Sequence, residues 1–321
     1  MLIVPERVDA VACKQYEYKT AEGKKRTPKV YLQWLREVHA LVEKEKPDIV
    51  HFLYGDLFYR FFGLGLSLFR KYRTVVTFHW AKDGLLGRIS TNLICRQIDD
   101  AVVHSAYLQK SFNSCGAHNV THIEYPQFNT VSVDKQEACA FWGLSPDIPT
   151  IACVGHTRPD KGLDILLDAL QTVDKPFQLL IAGKETAFDR AFIENKARNY
   201  LDRVYLCLRY LSDEEVGYAF GACDIVALPY RRVFNGASGP LGEGVWLGKC
   251  IIGSDHGNLG DTISRNHLGY TFESENPDAL ASVLNTALSK PFVLDDLYQD
   301  YKLSLRTENF IRSYLKLYQK T

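Results

Sequence analysis

The chain has 321 residues, 46% hydrophobic and 24% charged, a composition typical of a globular protein with room for two domains. Its 38 Lys and Arg residues balance 38 Asp and Glu residues, so no net positive field attracts nucleic acid. The eight cysteines form no Cys-x-x-Cys pair, no secretion-type signal precedes the first elements, and no apolar run reaches the length of a membrane span. We therefore expect a reduced, cytoplasmic protein without a zinc site.

Helix-like and strand-like segments alternate along the first 130 residues. The apolar piece Leu2–Val4 predicts a strand, and the lysine-rich segment 14–29 lacks periodicity and is interpreted as a solvated loop. The other elements predicted in this half are helices at 31–46, 57–71, 85–97 and 107–113, the last capped by Ser105, and strands at 48–53, 74–78 and 100–104.

The alternation continues after a turn-rich crossing at 124–133. The predicted elements there are helices at 134–142, 162–173, 189–198, 213–220, 240–248, 277–289 and 307–319, and strands at 150–154, 177–182, 204–206, 224–228 and 250–253. Because this alternation favours parallel β-α units, we expect an α/β fold with two open, doubly wound sheets that face a cleft. Ligands of such folds bind at the C-terminal edges of the strands.

The stretch from Cys223 to Asp261 holds the most informative motif: a strand, a small-residue loop at 235–239, a helix and a second strand. Such a loop leaves backbone N–H groups free at the positive end of the helix dipole, where phosphate binds well. Glu243, on the first turns of that helix, has the wrong charge for phosphate but accepts hydrogen bonds from ribose hydroxyls. The motif predicts a nucleotide site, with a plain capping loop as the alternative.

A second candidate element follows the strand at 150–154. The turn 155–162, GHTRPDKG, places Arg158 and Lys161 where a bidentate fork and a point charge can flank a diphosphate. Alone, such a turn is more often solvated.

His79 follows the strand at 74–78 at the same kind of edge, and a lone histidine there is more often structural. Its expected position across the cleft from Arg158 and Lys161 favours a functional role.

Basic and aromatic residues also gather at 58–73 and 14–29. We favour an ordinary helix of the sheet and a solvated loop for these segments. The sharper alternative is docking to an anionic membrane surface or to a charged acceptor.

Together these elements resemble the retaining GT-B glycosyltransferases of the large GT4 family, which use a sugar nucleotide as donor. The resemblance runs from about Pro47 to Leu317 and consists of ordered motifs. They are Gly155-x-x-Arg158-x-x-Lys161-Gly162-Leu-Asp, the segment Val204 to Tyr230, Ser238-Gly-Pro-Leu-Gly-Glu243, Gly248-Lys249-Cys-Ile-Ile-Gly-Ser-Asp255, the Gly-rich turn Gly257-Asn-Leu-Gly-Asp261, and Thr77-Phe-His79.

The resemblance implies a role for each matching residue. Arg158 and Lys161 would neutralise the departing diphosphate and His79 would contact the donor sugar, which makes these three the expected catalytic residues. Glu243 would hold ribose hydroxyls, and loop amides around Ser238 would bind phosphate. The full set of donor-binding residues is Gly155, Tyr210, Asn235, Ser238, Gly239, Leu241 and Glu243. No Asp-x-Asp follows a strand, so we expect no metal ion and no cofactor.

Two features depart from the family pattern. Many relatives have two glutamates eight residues apart in the donor loop, and the first is Asn235 here; an amide still hydrogen-bonds a sugar hydroxyl but carries no charge. The strand, Gly-rich turn and helix that begin relatives have no counterpart, so we expect a shortened N-terminal domain. The expected domains are a Rossmann-like acceptor-side domain at 1–130, a Rossmann-like donor domain at 131–300, and a C-terminal helix at 301–321 that packs back on the first domain.

We therefore predict a retaining hexosyltransferase that uses a UDP-, GDP- or ADP-sugar, with UDP favoured, and a saccharide or lipid-linked acceptor. Peripheral contact with the inner face of a membrane is a further option. The alternatives are a non-catalytic subunit whose partner chain supplies the missing N-terminal unit, and a sugar-nucleotide epimerase of the same fold. A dinucleotide dehydrogenase is disfavoured because no Gly-x-Gly-x-x-Gly follows a first strand.

Overall fold

A computed structural model describes residues 2–4, 14–17, 27–127, 131–234 and 236–320. Its strands are β1 (Leu2–Val4), β2 (Gln15–Glu17), β3 (Ile49–Phe52), β4 (Arg73–Phe78), β5 (Asp100–Val103), β6 (Val120–His122), β7 (Thr150–Val154), β8 (Gln178–Ala182), β9 (Val204–Cys207), β10 (Ile225–Leu228), β11 (Cys250–Ser254) and β12 (Gly269–Phe272).

The α-helices are α1 (Pro28–Glu45), α2 (Gly84–Cys95), α3 (Ala106–Ser114), α4 (Lys135–Trp142), α5 (Leu163–Ala169), α6 (Arg190–Lys196), α7 (Asp213–Ala222), α8 (Gly239–Trp246), α9 (Gly257–Arg265), α10 (Pro277–Ser289), α11 (Asp296–Ser304) and α12 (Thr307–Tyr318). Short 3-10 helices lie at Gly55–Phe61, Leu66–Phe69, Pro159–Lys161, Leu170–Thr172 and Leu201–Arg203.

All strand pairs in the described residues are parallel. Strands β1 and β2 pair with each other, a four-stranded sheet has the order β3-β4-β5-β6, and a six-stranded sheet has the order β12-β11-β10-β7-β8-β9. In the larger sheet the chain moves outward from β7 to β9 and then returns to the other side of β7 with β10. A crevice between the loops after β7 and β10 follows from this reversal, and ligands of doubly wound sheets bind there.

Each of the two larger sheets is packed on both faces. Because successive side chains of a strand point to opposite faces, apolar residues occupy both sets of positions. In the first sheet Val76 and Val103 face the cluster formed with α1 and α2, whereas Val75 and Val102 face a cluster that includes Leu317 of α12. In the second sheet Ile151 and Ala152 likewise belong to opposite clusters.

The last helix packs on the first sheet rather than on the sheet that precedes it in the chain. Leu317 is 1% exposed against Val75 and Val102. Tyr318 Oη lies 2.6 Å from His51 Nδ1, and an Arg73 guanidinium nitrogen donates to the Leu317 carbonyl at 2.7 Å. Burial lowers the pKa of His51 to about 4, so this imidazole is neutral at pH 7.

The prediction of a single helix at 57–71 is wrong. Two 3-10 helices, Gly55–Phe61 and Leu66–Phe69, occupy this stretch. Phe62, Gly63 and Gly65 between them have φ values of 53°, 72° and 90°. Left-handed residues end an α-helix, and the apolar composition of the stretch hid these breaks.

The Gly-rich turn predicted at 257–261 is also wrong, because these residues begin α9. Gly260 lies inside that helix, where a Cβ would come 2.3 Å from the Asp255 carbonyl oxygen, so close backbone approach rather than a turn requires this glycine. Strands β2, β6 and β12 and helix α11 were not predicted, and β2 lies in the segment 14–29 that was interpreted as a solvated loop. Strand β7 and helix α10 coincide with the predicted segments. In the described part of the chain, no helix is both long enough and apolar enough to cross a membrane.

Candidate functional site

The crevice between β7 and β10 contains a cavity, here called the switch-point cavity, lined among others by Gly155, Thr157, Lys161 and Tyr230. Gly155 and Lys161 come from the loop after β7, and Tyr230 follows β10. Gly162 holds the two loops close together, since its φ is 65° and a Cβ there would lie 1.9 Å from the Pro229 carbonyl oxygen. Only glycine fits this position without displacing a loop.

Lys161 joins the turn after β7 to the N-terminal end of α8. Its Nζ donates to Tyr230 Oη at 2.6 Å and lies 3.9 Å from the centre of the Tyr230 ring and 4.8 Å from that of Phe234. Tyr230 Oη in turn is 3.1 Å from Ser238 Oγ. An ammonium group has three donors, so this arrangement positions a cation while leaving it capacity for an anionic ligand.

The Arg158 side chain does not line the switch-point cavity. Its guanidinium forms an ion pair with Asp160, with Nε donating to Oδ1 at 2.9 Å, and the side chain is 47% exposed. This hydrogen-bonded pairing raises the pKa of Arg158 and lowers the pKa of Asp160. A diphosphate would therefore compete with Asp160 for Arg158, whereas Lys161 already points to the cavity wall.

The small-residue loop leads into α8 as a capped helix start. Ser238 is the N-cap and accepts a hydrogen bond from the Leu241 N–H at 3.4 Å. Outside α8 itself, no described atom lies within 4 Å of a Cβ built at Gly239 or Gly242, so the helix start faces open space. Leu241 and Glu243 are buried, with 5% and 8% exposed. Asn235 lies outside the described residues.

His79, at the end of β4, is held by Asp56. The Asp56 carboxylate accepts from the His79 backbone N–H at 3.2 Å, and its Oδ2 lies 3.0 Å from His79 Nδ1. A carboxylate only accepts hydrogen bonds, so Nδ1 carries a proton; in the neutral imidazole this tautomer has its lone pair on Nε2. The imidazole also stacks on Tyr54, with 4.4 Å between ring centres.

His104 lies at the end of β5, beside His79, with 5.5 Å between the ring centres. It is 4% exposed, its Nδ1 donates to the Ile123 carbonyl at 2.9 Å, and burial lowers its pKa to about 4. The ring is therefore neutral at pH 7, and its Nε2 is an acceptor.

The two halves of the chain meet at a second cavity, here called the cleft cavity. Its lining includes His104 and Tyr125 from the first half and Ser238, Gly239 and Asn258 from the second. The small-residue loop also approaches His79, since a Cβ built at Gly236 would lie 3.9 Å from the His79 carbonyl oxygen. The structure thus brings the loop after β10 to the strand edge that carries the two histidines.

The predicted site residues therefore fall into separate groups. Gly155 and Lys161 line the switch-point cavity, Ser238, Gly239 and Leu241 line the cleft cavity, and His79 lies beside the same loop. Tyr210 is 77% exposed in the loop between β9 and α7, outside both cavities.

Sequence reasoning missed Asp56, His104 and Tyr230 as site residues. His104 had a usable signal, because it ends its strand as His79 does. Asp56 had none, since 23 residues separate it from His79. Among the described side chains, no group of three His, Cys, Asp or Glu is arranged to hold a metal ion.

Comparisons with known proteins agree with this architecture. A family model described as "Glycosyl transferases group 1" matches residues 134–303. The chain is 30% identical over 127 residues to an uncharacterized glycosyltransferase of Methanocaldococcus jannaschii, a stretch that covers 40% of this chain and 34% of that protein. The chain thus matches well under two thirds of this relative's length.

Solved structures match more of the chain. Sucrose-phosphate synthase from Thermosynechococcus elongatus superimposes with a TM-score of 0.74 at 16% identity, over 96% of this chain and 83% of that one. HepE from Anabaena, solved in complex with UDP, gives 0.71 at 15% identity, over 90% and 81%. These likenesses confirm the predicted fold class.

Proposed function

Because this chain belongs to the group 1 glycosyl transferases and has a GT-B fold, we propose that it transfers a hexose from a nucleoside-diphosphate sugar to a saccharide or lipid-linked acceptor. One observation carries the proposal: Lys161, held by Tyr230, and the open N-terminal end of α8, capped by Ser238, converge on one region. A cation and the positive end of a helix dipole together form a site for a diphosphate.

The same geometry supports a route for the leaving group. Departure of a nucleoside diphosphate develops negative charge on its phosphate oxygens. Lys161 and the positive end of the α8 dipole stabilise that charge without a metal ion, and Arg158 adds a second cation once it leaves Asp160. Glu243 is assigned to the ribose hydroxyls and His79 to the donor sugar, with retention of the anomeric configuration.

UDP is the favoured nucleotide in this proposal. The support is that HepE from Anabaena, which shares the fold, was solved in complex with UDP. We also propose the domain division at 1–130, 131–300 and 301–321, with the donor site in the second domain.

A thermal-shift comparison of UDP, GDP and ADP tests the nucleotide site. A ligand at 100 times its dissociation constant stabilises the folded chain by about 2.7 kcal/mol, so the preferred nucleotide raises the melting temperature. Lys161→Ala weakens nucleotide binding by about tenfold or more, because a charged contact to phosphate is lost. Lys316→Ala, an exposed lysine on α12, is the matched control.

Activity is then measured by mass spectrometry of products formed from the preferred nucleotide's glucose or galactose conjugate and candidate glycolipid and saccharide acceptors. The expected result is a glycosylated acceptor that disappears in Lys161→Ala and persists in Lys316→Ala. Equal nucleotide binding by the parent and by Lys161→Ala would contradict the assignment of Lys161 to the nucleotide site. Formation of an epimerised sugar nucleotide in the absence of an acceptor would show that the protein is an epimerase rather than a transferase.

A further inference from the structure

One arginine, Arg231, connects the loop after β10 to the turn after β7. Its backbone N–H donates to the Asp160 carbonyl at 2.9 Å, and its Nε donates to the Pro159 carbonyl at 3.0 Å. The same guanidinium forms an ion pair with Asp164, which lies in the first turn of α5. Arg231 thus binds the turn at two positions and the helix that follows it at a third.

The carbonyl of Arg231 extends this connection toward the start of α8. It accepts a hydrogen bond from the Phe234 N–H at 2.9 Å, which closes a β-turn. The Phe234 ring in turn lies beside Lys161, with 4.8 Å between Nζ and the ring centre. Arg231 therefore links the segment that carries Lys161 to the segment that leads into α8.

These bonds lie next to the closest approach of the two loops. A Cβ built at Gly162 would be 1.9 Å from the Pro229 carbonyl oxygen, so this glycine permits the approach. A glycine without a side chain supplies no attraction of its own. Arg231, two residues after Pro229, supplies hydrogen bonds and a charge pair at the same place.

The ion pair of Arg231 is partly buried. The Arg231 and Asp164 side chains are 30% and 24% exposed, and Asp164 Oδ1 is buried without a hydrogen-bond partner among the described residues. A carboxylate with one unpaired buried oxygen depends strongly on its remaining partner, because loss of that partner leaves a charge without compensation. Two nitrogens of the Arg231 guanidinium, Nε and Nη2, are therefore engaged within the protein.

We propose that Arg231 is a positioning residue of the diphosphate site, which holds Lys161 and the start of α8 at the distance that the ligand requires. This inference rests on the proposed function, because it concerns the same site. Arg231 acts through Lys161 and not by contact with phosphate, since Pro159 and Asp164 occupy its guanidinium. Such positioning matters because a displacement of about 1 Å at a site of this kind costs a large factor in function.

Hydrogen–deuterium exchange of the full chain without nucleotide tests the connection between the loops. In Arg231→Gln we expect faster exchange of the backbone amides at 157–162 and 230–234, because the side chain no longer holds the two segments together. Arg232→Gln is the matched control: it removes the same charge from the same loop, but the Arg232 side chain is exposed. It keeps the parent's exchange rates. Unchanged exchange in Arg231→Gln overturns the inference.

Calorimetric titration with UDP, GDP and ADP tests the effect on the site. Arg231→Gln weakens binding of the preferred nucleotide by about fivefold or more, because Lys161 is no longer held in place. Asp164→Asn also weakens binding, since the guanidinium loses its charged partner, whereas Arg232→Gln binds as the parent does. If Arg231 instead contacted phosphate directly, Asp164→Asn would release it and tighten binding, which would overturn the positioning role.

A double-mutant cycle shows whether Arg231 acts through Lys161. In the Lys161→Ala background we expect Arg231→Gln to change nucleotide affinity by less than about twofold. Equal losses in both backgrounds would contradict the inference. A parent chain that binds none of the three nucleotides would overturn the proposed function and this role with it. Binding by the parent that Arg231→Gln leaves unchanged would overturn this role alone.

Discussion

At the scale of single residues, the carboxylate of Asp56 controls the histidine at the cleft. It accepts from the backbone N–H groups of both His79 and Trp80, which fixes the chain after β4, and it faces His79 Nδ1 at 3.0 Å. Because the carboxylate accepts from Nδ1, Nε2 of the neutral imidazole is the acceptor for the proposed contact with the donor sugar. Asp56 is therefore a positioning residue for the proposed role of His79.

We predict that Asp56→Asn keeps nucleotide binding but lowers the kcat of sugar transfer by about tenfold or more. The amide has nearly the same shape, but its N–H₂ group donates to Nδ1 and favours the tautomer with the proton on Nε2. Steady-state kinetics and a thermal shift with nucleotide separate the two effects.

Asp295→Asn is the matched control, because Asp295 Oδ2 also faces a histidine, His267 Nδ1, at 2.6 Å but on an exposed part of the second half. It leaves kcat unchanged. A parallel loss of nucleotide binding in Asp56→Asn would show that Asp56 has a structural role only.

At the scale of elements, the candidate site depends on how closely the loops after β7 and β10 approach. Gly162 permits this approach because it adopts a positive φ and has no Cβ next to the Pro229 carbonyl. The same loop pair places Lys161 beside Tyr230. The backbone conformation at one glycine thus determines whether the cation reaches the start of α8.

We predict that Gly162→Ala lowers the free energy of unfolding by about 3 kcal/mol or more, since left-handed strain of roughly 1–2 kcal/mol adds to a clash with backbone. Gly143→Ala is the control, because Gly143 has a φ of 71° and no described atom within 4 Å of a built Cβ. We expect Gly143→Ala to lower the free energy of unfolding by only the cost of the left-handed backbone conformation, about 1 kcal/mol. Urea denaturation measures both values, and equal losses would mean that the Pro229 contact has no energetic weight.

At the scale of the whole molecule, the C-terminal helix α12 packs on the first half of the chain. Helix α12 packs through Leu317 on the first sheet, and Arg73 donates to the carbonyls of Leu317 and Tyr318 at the end of that helix. Because α12 follows the second half directly through α11, it ties the two halves together in addition to the linker at 124–133.

We predict that Leu317→Ala lowers the free energy of unfolding of the first half by about 2–5 kcal/mol, as expected for a fully buried leucine. Leu315→Ala, on the same helix but 54% exposed, changes it by less than about 0.5 kcal/mol. Urea denaturation followed by the fluorescence of Trp34 and Trp80, with Trp142 and Trp246 replaced by Phe, measures the first half. Similar values for both variants would show that α12 does not stabilise the first sheet.

The sequence by itself determined the local elements and the placement of polar residues at strand ends. Apolar strands, capped helices and the turn at Gly155–Gly162 depend on local composition, short-range periodicity and residue conformational preferences, which is why β7 and α10 were predicted at their observed bounds. The stretch 57–71 failed because its composition suits a helix while its left-handed residues do not.

Only the tertiary structure decided which of these residues meet. The position of β10 next to β7 brings Lys161 to Tyr230, and the pairing of β4 with β5 brings His79 beside His104. Asp56 reaches His79, Arg158 turns to Asp160, and the leucines of α2 face outward. These outcomes follow from packing between segments distant in the chain, which residue periodicity does not encode.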